Sequence, residues 1–502
     1  MGLAPVNAWP LAWIALVPLW RVAQNPQQSF RRALGYAAVW GMAYHGTALS
    51  WITGLHPMMW MGMSWASSIA IALFAWAFIT LWGAAIGVTW VGLMIAISRW
   101  LPVKGATRVL LGTALWCAAE WVWSKGPLYW SSLSYTQSPH NLLGLQLGQL
   151  AGPITVTAAI VGVNGLLAEA LGEAGNRRRA LGNRNRRFGA YAAALFLGLH
   201  LIGWGLYSQP LADSSTQALA VGLIQGNIPT AQKLTGKGIQ ASRQIYLSGY
   251  EALVSEGADL VVTPEGAIPQ EWDAFLQDRN PLQRAVVKLG VPLVLGTFVP
   301  QEIDDSDTPI MQSLLTLTPE GQVTGRYNKV KLVPLGEYLP FEKVLKPFIG
   351  RLSPFSESMA PGSFDQLLET SFGPMAAGIC YESAFAELFR QQVKRGGQAI
   401  LTASNNDPYS PRQMMQHHAQ DVMRAVETNR WQVRVTNTGI SGIVDPKGRS
   451  RWLSTPNEYT THLETIYRRR TQTPYVRWGN WLTPLLLALS AIAIVLSQRA
   501  NP

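Results

Sequence analysis

Three short stretches set a carboxylate, an ammonium and a thiol among or just after apolar residues. They are Thr263-Pro-Glu-Gly-Ala-Ile-Pro around Glu265, Arg326-Tyr-Asn-Lys-Val-Lys-Leu-Val-Pro-Leu-Gly-Glu around Lys329, and Gly378-Ile-Cys-Tyr-Glu-Ser around Cys380. A thiol attacks as its thiolate and so needs a nearby base. The oxyanion that forms next needs a cation or N–H donors. Glu265, Lys329 and Cys380 could fill these three roles. Taken singly, each has an ordinary alternative: a capping carboxylate, a solvated charge, an inert core thiol. The ordered set carries the argument.

The chain has two cysteines, Cys380 and Cys117, and Cys117 lies in an apolar stretch, so no disulfide framework is expected. Any need for Cys380 then comes from its thiol. His417 and His418 are adjacent and lack Cys or carboxylate partners at ligand spacing, so they are expected to cap or pack within a helix. Neither a metal nor another cofactor is expected.

The elements that position these residues follow one theme between 208 and 475. Short β-rich runs lead to polar or reactive residues: Ala220–Ile224 before Gln225, Leu260–Thr263 before Glu265, Ala376–Ile379 before Cys380, and Ala399–Thr402 before Ser404-Asn-Asn-Asp. Helical stretches such as Pro281–Leu289 and His417–Asn429 intervene. The pattern predicts an α/β domain whose site lies beyond strand ends, where Glu265, Cys380 and Asn405 stand.

The rest of the chain differs in kind. Of 502 residues 48% are hydrophobic and 14% charged, with 21 Trp. The apolar excess lies before residue 208 and in the last stretch, which predicts a polytopic α-helical membrane bundle over 1–207, an extracytoplasmic domain over 208–475 and a C-terminal membrane helix over 476–502. Spans are expected at 8–21, 33–53, 60–98, 106–124, 148–171, 189–207 and 480–497. The third is either two helices or one long tilted helix with a broken or interfacial lead-in around Met58–Ser67. The short spacers carry Arg21, Arg31 and Arg32, then Arg99, Lys104 and Arg108, then a cluster from Arg177 to Arg187. Basic loops accumulate on the cytoplasmic side. All three share that side only if 60–98 crosses once, which sets the N-terminus outside and has the helix at 189–207 export the domain. The net charge of +11 is therefore a topology signal; without interleaved aromatics or a binding motif it does not indicate nucleic acid. Glu120 inside an apolar span should face a cavity or a partner.

The three catalytic stretches, in this order, resemble the carbon–nitrogen hydrolase (nitrilase) superfamily. The Leu-Val-Pro-Leu-Gly-Glu-Tyr-Leu-Pro version, the Gln225-Gly-Asn-Ile-Pro segment and the flanking apolar helices resemble, over essentially the whole chain, the apolipoprotein N-acyltransferase family. That resemblance implies a helical bundle, an αββα nitrilase-like domain on the periplasmic side of the inner membrane and one C-terminal helix. It implies eight helices, so the first is expected to be missing here. It also implies Cys380 as nucleophile, Glu265 as base and Lys329 as oxyanion cation. A membrane phospholipid would be the acyl donor, through a thioester, and the α-amine of a diacylated apolipoprotein the acceptor. Apart from the resemblance, nothing in the sequence requires more than a monomer. Glu337, Tyr381 and Glu382 fall on motif positions and are given supporting roles: orienting Lys329, or holding the loop beside the nucleophile. The chain departs from the family at Leu234, where a Trp is usual, and at Asn405-Asn-Asp-Pro-Tyr409.

A further expectation is an amphipathic lid of Phe341, Leu345, Phe348 or Ile349, and Leu352, interleaved with Lys343, Lys346 and Arg351, lying on anionic headgroups. Two competing readings remain. One is a membrane-tethered amidase or nitrilase using the same three residues with water, for which six preceding spans are excessive. The other is a transporter with a binding domain, which leaves the ordered Glu, Lys and Cys motifs unexplained.

Overall fold

The computed structural model describes all residues except 1, 26, 102, 173–182, 273–279, 302–308, 340–357, 408 and 500–502. The expected lid between Phe341 and Leu352 lies outside the described residues, as does much of the basic cluster from Arg177 onward. The chain divides into two compact units. One comprises Met1–Thr53, Ile69–Pro210 and Thr473–Pro502; the other comprises Gly54–Ser68 and Leu211–Gln472.

The first unit is helical. Among the described residues four helices are long and apolar enough to cross a membrane: Trp65–Trp100, Pro153–Ala170, Asn185–Tyr207 and Leu482–Arg499. Residues 60–98 follow the single-helix reading. Trp65–Trp100 is one helix of 36 residues, preceded by 3-10 turns at Ser50–Leu55 and Met59–Met61. At about 1.5 Å per residue such a helix is roughly 54 Å long, against a hydrocarbon core of about 30 Å. Large apolar side chains on it, including Phe74, Phe78 and Leu81, are exposed, as are Leu201 and Trp204 on Asn185–Tyr207. Outward apolar faces of this extent suit lipid rather than water.

The expected spans 33–53 and 106–124 appear as the 19-residue helices Phe30–Ala48 and Gly105–Trp123. They carry Arg31, Arg32 and His45, and Arg108 and Glu120, and are not among the four. The expected span at 8–21 is not one helix. It is broken into Trp9–Leu11, Ala12–Ala15 and Val17–Gln24, with a proline opening the first and last pieces. Proline has no N–H to donate and clashes with the preceding turn. Asn164 satisfies the break: its Oδ1 accepts from Leu16 N–H at 2.9 Å and its Nδ2 donates to the Ala12 carbonyl at 3.0 Å. Glu120 has partners, accepting from Trp116 Nε1 at 3.2 Å, Tyr129 at 3.2 Å, Thr157 at 3.1 Å and Ser132.

The second unit is an α/β sandwich. Its strands in chain order are β1 (Ala218–Gln225), β2 (Leu260–Val262), β3 (Leu293–Pro300), β4 (Ile310–Leu317), β5 (Val323–Asn328), β6 (Ala376–Ile379), β7 (Ile400–Ser404), β8 (Gln432–Thr436), β9 (Gly442–Val444), β10 (Ser450–Leu453) and β11 (Thr460–Tyr467). They form a six-stranded sheet, β11-β1-β2-β3-β4-β5, and a five-stranded sheet, β10-β9-β8-β7-β6.

Alternation along the strands explains the layering. Leu219, Val221 and Leu223 of β1, Leu260 and Val262 of β2 and Val294 of β3 share one core with Ala377 and Ile379 of β6, Leu401 and Ala403 of β7, and Val433 and Val435 of β8. Val261, Leu293 and Leu295 point the other way, into a core with Tyr246, Tyr250 and Leu253 of the helix Gly236–Ser255 and Leu282 and Val286 of Pro281–Leu289. Gly378 on β6 lets Phe389 of the helix Ala386–Lys394 approach, since a Cβ there would lie 2.6 Å from its ring.

Strand direction then fixes where the reactive residues emerge. β2 runs parallel to β3. β4 is antiparallel to both β3 and β5, so β5 points the same way as β2. Glu265 and Lys329 therefore leave the six-stranded sheet at the same end of its strands. In the other sheet β6 and β7 are parallel, so Cys380 and Asn405 also leave at a common end.

Candidate active site

Lys329, one residue after β5, is the electrostatic centre of the site. Its side chain is fully buried, and its Nζ donates to Glu265 Oε1 at 3.1 Å and to Glu337. Burial alone would push its pKa down; Glu265 and Glu337 outweigh that and hold it well above the ordinary lysine range. Glu337 is in turn fixed by Val333 N–H, which donates to its Oε2 at 2.8 Å. Burial raises the Glu337 carboxyl, with Lys329 pulling it back.

Glu265 is tied on three sides. Besides the ammonium on Oε1, the Asn405 peptide N–H donates to Oε2 at 2.6 Å, and Lys233 Nζ donates to the Glu265 backbone carbonyl at 2.9 Å. Gly296 of β3 backs this turn: a Cβ there would stand 2.0 Å from the Pro264 carbonyl.

Cys380 opens a 3-10 turn directly after β6. Its φ is +52°, in the left-handed region that a residue with a Cβ seldom adopts. The side chain is 9% exposed. Burial pushes the thiol pKa up, Glu265 and Glu337 add to this, and Lys329 and Arg434 oppose it. The balance of these effects favours the protonated thiol, and Glu265 and Glu337 line the same pocket.

Glu382 fastens this turn to the segment after Lys329. Its Oε2 accepts from Ile379 N–H at 2.7 Å and from the Tyr327 hydroxyl at 2.9 Å; its Oε1 accepts from Val330 N–H at 2.7 Å and Lys331 N–H at 3.0 Å. Burial raises its pKa to about 7 against these donors. Tyr381 packs edge-on against Phe385, ring centroids 5.0 Å apart, and is not among the residues lining the pocket.

Glu265, Glu337, Cys380 and Asn405 line one pocket of about 210 Å³, together with Lys233, Asp407 and Tyr409. Its apolar wall includes Phe298 and Met359 and also Leu55, Met58, Trp60 and Met61, from the segment Gly54–Ser68 that clusters with this unit. Such an arrangement can take a proton from a thiol, hold a developing oxyanion beside a cation, and accommodate an apolar substituent.

Lys233 escaped the sequence reading. It lies on the four-residue helix Thr230–Lys233, is 3% exposed, and burial brings its pKa down to about 8 although Glu265 and Asp407 act to raise it. Nothing in its sequence neighbourhood marks it apart from its place beside Leu234. His417 is buried, as expected, but it bonds the Cys380 carbonyl, which no spacing announced. Among the described residues no group of three or more His, Cys, Asp or Glu is placed to hold a metal ion.

Comparisons with known proteins agree with this picture. The carbon–nitrogen hydrolase family matches residues 220–472, and the apolipoprotein N-acyltransferase N-terminal domain matches residues 1–166. Apolipoprotein N-acyltransferase of Nostoc sp. is 50% identical over 499 residues, covering 98% of this chain and 96% of its own length. The protein of the same name from Synechocystis sp. is 42% identical, covering 98% of each chain. That from Nitrosomonas europaea is 30% identical, covering 98% of this chain and 94% of its own. With its apolar helices and its nitrilase-like α/β unit, the chain belongs to the apolipoprotein N-acyltransferase family and is a membrane-embedded acyltransferase.

Proposed function

We propose that the enzyme moves an acyl chain from a membrane phospholipid, through a thioester on Cys380, to the α-amine of the N-terminal diacylglyceryl-cysteine of lipoproteins. The observation that carries this reading is the common pocket of Glu265, Glu337 and Cys380, with buried Lys329 paired to both carboxylates and an apolar wall beside the thiol.

In the first half-reaction Glu265 takes the Cys380 proton as sulfur attacks the ester carbonyl carbon of the phospholipid. Lys329 and backbone N–H groups stabilise the tetrahedral oxyanion. The C–O bond breaks, the lysophospholipid alkoxide takes the proton from Glu265, and a thioester remains. In the second half-reaction the lipoprotein amine attacks the thioester carbonyl and gives a proton to Glu265. The C–S bond breaks, and Glu265 returns a proton to the sulfur. Glu337 and Glu382 act by support: one anchors Lys329, the other pins the turn that carries the thiol.

In this reading residues 1–207 and 476–502 hold the enzyme in the inner membrane as a multi-pass bundle, and 208–475 work as a monomeric domain on the periplasmic face. The basic loops support that sidedness.

The test is reconstitution in phospholipid vesicles with a synthetic diacylated lipopeptide. The expected result is an N-acylated lipopeptide and an equal amount of lysophospholipid, both lost in Cys380→Ser. Cys380-dependent hydrolysis of small amides with no change in the lipopeptide would overturn the proposal in favour of a tethered amidase.

A further inference from the structure

His417, on the helix Pro411–Thr428, is a group the proposed chemistry leaves unused, although it is 1% exposed and bonded to the nucleophile's own peptide. Its Nε2 lies 2.7 Å from the Cys380 carbonyl oxygen. That oxygen can only accept, so Nε2 carries the proton. On the other side Nδ1 is 3.2 Å from Arg434 Nη1, which can only donate, and 3.1 Å from Asn406 Nδ2. Nδ1 is therefore the lone-pair nitrogen and the ring is neutral. Burial and the Arg434 charge keep it so, by lowering its pKa well below the usual histidine range.

Each bond ends on something the reaction needs. Cys380 holds φ at +52°, a conformation unfavourable for a residue with a Cβ that persists only where the surroundings impose it. Two restraints flank it: Ile379 N–H donates to Glu382, and the Cys380 carbonyl accepts from His417. Asn406, the partner on the other nitrogen, directly follows Asn405, whose N–H holds Glu265 Oε2 at 2.6 Å. Asn406 is itself confined, since its Nδ2 also donates to Gln413 at 2.8 Å and a Cβ on Gly439 would lie 2.1 Å from its Oδ1. Behind the ring, Arg434 is paired with Asp421 and donates to Ser404 Oγ at 2.5 Å and Ser383 Oγ at 2.7 Å.

We infer that His417 is a positioning residue for acylation of Cys380: one imidazole holds the left-handed nucleophile turn by its carbonyl and, through Asn406, the loop that orients Glu265. The inference rests on the proposed roles of Cys380 and Glu265. It deepens that reading by naming what sets the geometry between thiol and base.

Two substitutions separate the bonds. His417→Gln can still donate to the Cys380 carbonyl; His417→Asn can still accept near the Nδ1 position but cannot reach that carbonyl. Acylation is read with p-nitrophenyl butyrate, as the burst of nitrophenolate, alongside acylation by phospholipid. His417→Asn is expected to slow the burst about a hundredfold with KM unchanged, as misplacement of a reacting group by about 1 Å does. His417→Gln is expected to recover at least tenfold of that loss, with melting temperatures of the two variants alike. Both variants within threefold of wild type would overturn the inference, as would equal loss of rate together with equal loss of stability. A Cys380-dependent burst in wild type without acylation by phospholipid would sink the donor assignment and leave the positioning role to be decided by the variants. Absence of acylation by both p-nitrophenyl butyrate and phospholipid in wild type would overturn both.

Discussion

The Glu265 carboxylate accepts the peptide N–H of Asn405 at 2.6 Å, and so joins the turn after β2 in one sheet to the residue that directly follows β7 in the other. The same carboxylate takes Lys329 on its second oxygen. A carboxylate held this way by two donors is positioned before any substrate arrives, which, for the base role proposed above, is where much of the benefit would originate.

Glu265→Gln removes the basicity of this residue and its charge together, and two rates tell the two losses apart. Glutamine can still accept the Asn405 N–H, but the negative charge that raises the Cys380 thiol is gone. Alkylation of Cys380 by iodoacetamide at pH 8 is expected to be at least as fast as in wild type. Acyl-enzyme formation should fall by a factor on the order of 10²–10⁴, the usual worth of a general base. Parallel decline of both rates would argue against the base assignment.

Lys329→Met leaves two buried carboxylates facing each other without their cation. Removing one partner of a buried ion pair costs roughly 3–5 kcal/mol, so a marked drop in melting temperature is expected along with loss of acylation. Lys329→Arg should not restore activity, because a planar fork does not put its charge where the buried point ammonium sits between Glu265 and Glu337. A stable, active methionine variant would contradict the account.

Lys233 makes a pH prediction. Its folded pKa of about 8 lies below the unfolded lysine value of about 10.4, so the penalty for burying the charge is complete below the folded value and disappears above the unfolded one. Between them the unfolded state binds more protons, and this residue's contribution to stability rises with pH. Lys233→Met should therefore melt higher than wild type at pH 7, with an advantage that shrinks as the pH approaches 10. Acylation should fall, because the Glu265 carbonyl loses its donor. Melting curves at the two pH values decide it; an advantage that grows with pH would be the wrong sign.

Glu120 tests the helical unit. Glu120→Leu removes the acceptor shared by Trp116, Tyr129, Ser132 and Thr157, at about 1–3 kcal/mol for each donor that finds no other partner. Glu120→Gln keeps an acceptor and should melt closer to wild type. Thermal unfolding in one detergent compares the two, and equal melting temperatures would show that the cluster does not depend on this acceptor.

How far the sequence could be read depended on the range of the forces involved. Strand alternation is local, so the runs before Glu265 and Cys380 were legible, and with them the expectation that reactive residues gather beyond strand ends. The break within 8–21 depends on Asn164, 148 positions from Leu16, and hydropathy alone cannot foresee such a partner. Lys233 and His417 were opaque for the same reason: each bonds a backbone carbonyl more than thirty residues away, and such bonds leave no periodic trace. Residues 54–68 read as loop and span lead-in, yet Leu55, Met58, Trp60 and Met61 line the pocket through tertiary packing.

Whether Cys380 carries the acyl group is read by intact-mass analysis of the detergent-solubilised enzyme after incubation with phospholipid. One added acyl mass is expected, released by hydroxylamine and absent from Cys380→Ser. No adduct with any phospholipid, in protein that is folded and whose thiol still reacts with iodoacetamide, would contradict that role for Cys380.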